Sequence, residues 1–184
     1  MTDALIDALI DPVVPIVSGL LTCANDELER FGVPVCRAFW APSGQIPWDA
    51  CGKTADGAEG QLWVAVESVF PTDSFPSPVA GAHRCTPSGY GLNLQVGVLR
   101  CAHTVDDQGN APSAEQISSD ALKVSNDRAI LEQAILCCFV DEDTDPGMFR
   151  LGNWEPMGPG GGCTGGRWRM AVASPKASFT PSEE

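Results

Sequence analysis

Apolar residues along this chain fall into short alternating runs and longer helical runs, and the clearest run is residues 61–70, Q-L-W-V-A-V-E-S-V-F. It is rich in β-branched and aromatic residues and stops at Pro71, which predicts a strand. Strict alternation puts Leu62, Val64, Val66 and Phe70 on one face and Trp63, Ala65, Glu67 and Val69 on the other. Both faces are largely apolar, so a central strand covered on both sides is expected. Residues 92–102 predict a strand covered on one face, with Leu92, Leu94, Val96 and Val98 opposite Asn93, Gln95 and Gly97. Residues 35–41 and 167–174 read as two further strands. In the last, Trp168, Met170 and Val172 share one side, and Arg167 and Arg169 the other.

Helical spacing appears in three places. In residues 2–10, Leu5, Ile6, Leu9 and Ile10 lie on one side, and Asp11-Pro12 ends the segment. Asp11 is placed to cap a second helix with Pro12 at its first position. In that helix Ile16, Leu20, Ala24, Leu28 and Phe31 recur, with Val17 and Leu21 alongside, until Gly32 and Pro34 stop it. The longest helix opens at residues 112–116, where Ser113 and Gln116 have capping-box spacing. Its expected stripe is Ile117, Ala121, Val124, Leu131, Ile135 and Cys138, with Arg128 filling the one gap and Ile130, Ala134 and Cys137 widening it. It ends near Val140, ahead of the acidic run 141–145.

Residues 43–60 and 71–91 read as long loops, which in a compact domain usually serve function or reach a partner. Residues 104–111 read as a turn, and the stretch through G-P-G-G-G-C-T-G-G as a flexible connection. The order α, β, β, β, α, β lacks a βαβ rhythm. It predicts an α+β fold, a mixed and mainly antiparallel sheet flanked by an N-terminal helix and one long helix. The expected division is an arm or short helix over 1–12, a single domain over 13–175 and a loose polar tail over 176–184.

Charge narrows the possible partners. A net charge of −13 supplies no basic stripe for nucleic acid and repels anionic membrane surfaces. No stretch is apolar for long enough to span a bilayer. The acidic N-terminus lacks the bases of a signal peptide, so no export is expected. Eight cysteines are then unusual. Either they are free and buried, or the protein leaves the cell without secretion, as a virus particle released by lysis does.

The chain carries few residues in patterns that catalysis needs. Gly52-Lys53-Thr54 lacks the upstream glycine of a phosphate loop, because Pro47 stands there, and no helix can follow. Nucleophile-elbow, zincin and S-x-x-K motifs are missing. His83 and His103 are the only histidines available as bases, and a Cys–His pair is possible on composition alone. The expectation is a chain that is not an enzyme and carries no cofactor. A zinc set is the metal alternative, from His83 and Cys85 with Cys101 and His103, since residues two apart on a strand share a face. Cys85 and Cys101 are otherwise free or joined to each other. Cys36, Cys51, Cys85, Cys101 and Cys163 fall in loops and strand ends, where disulfides are common, and Cys137-Cys138 read as core.

Several phrases occur in a telling order: W-D-A-C-G from Trp48, Q-L-W-V leading to V-F-P-T-D-S-F-P, V-G-V-L-R-C-A from Val96, D-D-x-G-N-x-P-S from Asp106, the Cys137-Cys138 helix end, and G-G-G-C-T-G-G. In that order the chain resembles the head-to-tail connector, or neck, proteins of long-tailed phages of actinobacteria, over residues 35–174. The element order is similar to the tail-terminator fold. The resemblance implies a virion structural protein of the tail neck, assembled in the host cytoplasm. It would form a homohexameric ring between the tail tube protein and the head-closure or stopper protein, with genomic DNA passing through the lumen without specific binding. It also implies no catalysis. Trp48, Arg167, Arg169, Leu5 and Leu9 are then interface candidates. The rival within the class is a stopper or adaptor ring; outside it, a zinc- or disulfide-stabilised binding module.

Overall fold

The computed structural model describes residues 13–42, 46, 48, 52–55, 57–79, 89–139 and 148–175. The expected helix at 2–10, the cap at Asp11 and Pro12, His83, Cys85, the acidic run 141–145 and the C-terminal tail lie outside these residues. The elements are α1 (Val13–Arg30), β1 (Arg37–Ala41), β2 (Gln61–Thr72), β3 (Gly89–Cys101), α2 (Ala114–Phe139), β4 (Phe149–Gly160) and β5 (Cys163–Pro175). One five-stranded sheet runs in the order β1-β2-β3-β5-β4. Only the β1–β2 pair is parallel. The fold is α+β with a mixed, mainly antiparallel sheet, as the order of elements predicts.

Both helices pack on one face. Val17, Leu20, Ala24 and Leu28 of α1 and Ile130, Leu131 and Ile135 of α2 bury against Leu62, Val64, Leu94, Val96 and Val98. Each such Val, Leu or Ile side chain contributes roughly 1.5–3 kcal/mol by leaving water. α1 stops as its sequence predicts. Gly32 takes φ 72°, the Gly32 amide donates to the Glu29 carbonyl, and the Val33 amide to the Leu28 carbonyl. That is the glycine-capped helix end. Phe31, expected in the stripe, is 48% exposed beyond it. The capping box of α2 also forms. The Ser113 amide donates to Gln116 Oε1 at 2.8 Å, and the Gln116 amide to Ser113 Oγ at 3.3 Å. A disulfide, Cys23–Cys138, ties α1 to α2 across 115 residues. A loop of that length is worth about 4–5 kcal/mol in the chain-entropy picture. Cys138 is therefore cross-linked and Cys137 exposed, where both were expected in the core.

Three other expectations need correction. First, β2 does not alternate to its end. Val66 pairs with Leu94 and Ser68 with Asn93, so Glu67 is an extra, bulged residue. One inserted residue inverts every later side chain. Val69 therefore lies opposite Leu92 on the helix side, and Phe70 opposite Gly91 on the other. Coverage on both faces holds over residues 61–65 only. Second, the glycine-rich connection is strand β4 and a tight hairpin. Gly161 and Gly162 take φ 55° and 76°, the pair of positive values a type I′ turn requires. Pro156 and Pro159 are accommodated because β4 is an edge strand. Third, the inward side of α2 in its first half is polar: Asp120 and Asp127 are buried, while Ile117 is 58% exposed.

Asp127 explains that last departure. Arg100, on the helix side of β3, forms a two-pronged ion pair with it, Nε to Oδ2 at 2.9 Å and Nη2 to Oδ1 at 2.8 Å. The remaining guanidinium donors reach the carbonyls of Val33, Pro34 and Glu59 at 2.8, 3.0 and 2.6 Å. All five donors are satisfied, so a buried charge fastens α2, the α1–β1 link and the approach to β2 onto one strand.

Candidate assembly surface

The face of the sheet turned away from the helices is built differently. Flat aromatic rings lie where glycines leave room. A Cβ on Gly97 would come within 2.4 Å of the Trp63 ring, and one on Gly91 within 2.2 Å of the Phe70 ring. Trp63 is fully buried with Ala41 and Ala65 under Phe39, Ile46 and Met157. Its Nε1 has no hydrogen-bond partner among the described residues.

Beside this cluster a closed polar network crosses four strands. Arg167 Nε donates to Glu155 Oε2 at 2.9 Å, and Arg167 Nη1 to Gln95 Oε1 at 2.8 Å. Gln95 donates in turn to Glu67. Arg169 Nε lies 3.0 Å from Glu155 Oε1, and its Nη2 lies 3.8 Å from Glu67 Oε1. The two expected interface arginines are thus neutralised by carboxylates of their own chain. Glu67 is available because the β2 bulge sets it apart, and Glu155 because β4 is a strand. Neither partner was visible without the register.

Trp48 sits at the rim of this face. Its ring lies 3.3 Å from where a Gly160 Cβ would be, and its carbonyl oxygen is 2.7 Å from Cys163 Sγ. Cys163 is itself disulfide-bonded. Ile46, Trp48, Met157 and Gly158 wall a cleft of about 360 Å³ with Gln95 and Arg167. It has an apolar wall and a hydrogen-bonded polar wall, which suits an inserted side chain.

Four of the phrases that carry the family resemblance meet or adjoin this end of the sheet, while V-F-P-T-D-S-F-P and Cys137-Cys138 lie toward the other end. The Ala102 amide donates to the Gly162 carbonyl. The Cys36 and Cys101 thiols approach the Gly52 carbonyl at 3.1 and 3.6 Å. In the turn after β3, Asp106 accepts from the amides of Gln108 and Asn110. The side chain and backbone of Asn110 hold its carboxyl below the usual range.

The zinc and dyad candidates are only partly brought together. His103 lies beyond the end of β3, and its Nδ1 and amide both engage Asp120, at 2.9 and 2.8 Å. Cys101 points to Gly52 instead. Burial, and then the Glu59 carboxylate, push the Cys101 thiol above its ordinary value, the reverse of what a nucleophilic cysteine needs. Among the described residues no three potential ligands group around one point. No helix among them is long and apolar enough to cross a membrane.

Of the buried pair that sequence reading missed, Arg100 with Asp127, only the arginine left a signal, as the one charge in the apolar run of β3; Asp127 is one of several charges in α2. No protein-family model matches the chain, and no curated protein matches it significantly.

Proposed function

We propose that this chain is a structural subunit of a phage neck, of the tail-terminator type. In this reading it acts by assembly. Six copies form a ring that caps the tail tube and joins it to the head-closure protein, and DNA passes through an acidic lumen without adhering. The observation that carries the reading is the ordered set of motifs resembling neck proteins, several of which converge on one end of the sheet: Trp48, Gly52, Cys101 and Gly161 to Cys163. A sheet with one face committed to helices and the other carrying a cleft and a neutral charge network fits a subunit that meets partners with its second face.

Native mass spectrometry tests this, first on the protein alone and then after addition of purified tail tubes. A discrete hexamer, alone or on the tube, is expected. A monomer that ignores the tubes overturns the proposal. The Cys23–Cys138 cross-link and bonded Cys163 favour a disulfide-stabilised binding module as the second reading. That reading expects a monomer or dimer in the same experiment.

A further inference from the structure

The outward side of α2 is unusual for so acidic a chain. Ser118, Leu122, Ser125, Ala129, Gln133 and Leu136 follow one another three or four residues apart, and all are exposed. They form one helical stripe of nearly 27 Å at about 1.5 Å per residue, with no charge in it. Leu122 is 62% exposed and Leu136 40%. Exposed Glu115 stands at the N-terminal end of the stripe, two turns before Leu122, and the charges at its margins are paired, Lys123 with Glu59 and Arg128 with Glu132. A solvent-facing helix ordinarily places its charged residues on the outward side. Here that side is apolar at Leu122 and Leu136 and small between them, the form of a seat for another helix.

The chain itself contains a matching occupant. Twelve residues precede Val13, the first described residue and the start of α1. Within residues 2–10 the helical pattern groups Leu5, Ile6, Leu9 and Ile10 on one side, with Asp7 away from it and Asp3 at its edge. Nine residues are too few for a helix stable alone in water, and the apolar side needs a surface. As a helix they would span about 13 Å, so half of the α2 stripe suffices. The acids favour a seat free of carboxylates, because a carboxylate placed against a like charge is repelled.

We propose that residues 2–10 of one copy dock on the outward side of α2 of the neighbouring copy, with Leu5 and Leu9 between Leu122 and Leu136. This rests on the ring reading and supplies its link. Each copy gives an arm to the next and receives one, a head-to-tail contact that closes at a fixed number of copies.

The native exposed Cys137, next to Leu136, provides the test. The full-length Leu9→Cys protein, assembled alone or on tail tubes and monitored by native mass spectrometry, is oxidised with diamide and run on a non-reducing gel. The expected result is a ladder of covalent multimers that disappears when Cys137→Ser is added. A Leu122→Asp variant should keep the monomer's melting temperature while its assembled fraction falls at least tenfold. If rings form but Leu9→Cys gives only monomers, the docking is overturned and the ring reading survives. If no ring forms and only an intrachain cross-link is found, both fall.

Discussion

The two faces of the sheet keep their place by different physics. On the helix side Leu62, Val64, Leu94, Val96 and Val98 are fully buried beneath α1 and α2. The ion pair there, Arg100 with Asp127, is nearly as buried as the leucines, and all five guanidinium donors are hydrogen-bonded. On the other side Arg167, Glu155, Arg169 and Glu67 pair while keeping a quarter to nearly half of their side-chain surface in water (25%, 37%, 45% and 32%). Buried charges are expensive to leave unpaired, whereas half-exposed ones contribute little to stability. The helix side is therefore committed to folding. The open side is stable enough to be ordered and cheap enough to rearrange on meeting a partner.

Mutations can break or sharpen this contrast. The largest effect should come from Arg100→Ala, which strands the Asp127 carboxylate and three carbonyls. About 3–5 kcal/mol should be lost in urea denaturation. Arg100→Met combined with Asp127→Leu should regain most of it. On the open side the rings matter more than the charges. Gly97→Ala drives a methyl to within 2.4 Å of the Trp63 ring and 2.8 Å of the Gly166 carbonyl. The expected cost is about 1–3 kcal/mol by the same measurement. Glu155→Gln should change stability by less than about 1 kcal/mol, because its arginines stay solvated. Its effect should instead appear in the assembled fraction. A Glu155→Gln loss as large as that of Arg100→Ala would erase the distinction between the faces.

Much of the helix side was legible in the sequence. The helix-facing row of β3 and the spacing and glycine stop of α1 arise from strong local periods, and the Ser113–Gln116 box from local hydrogen bonding; β3 was expected to be covered on that face only, yet Gln95, Gly97 and Leu99 of its other face are buried too. What escaped depended on register or on exceptions to local rules. β4 contains Pro156, Pro159 and several glycines, which weigh against a strand unless it lies on an edge, and edge position is a property of the whole sheet. The bulge at Glu67 inverted Val69 and Phe70, and a period-two reading has no means to place an inserted residue. The shared face of Arg167 and Arg169 was evident from spacing. Their carboxylate partners were not, since Glu67 and Glu155 are distant in sequence and meet only through the bulge and the hairpin. In α2 an apolar stripe was expected throughout, and the ion pair with Arg100 overrode it in the first half.

The measurement that bears most directly on the neck reading is electron microscopy of intact phage particles that contain this chain, decorated with gold-labelled antibody raised against it. The reading predicts label confined to the junction between head and tail, at one ring per particle. Label along the tail tube, on the capsid or at the tail tip would contradict it, as would particles that carry no label at all.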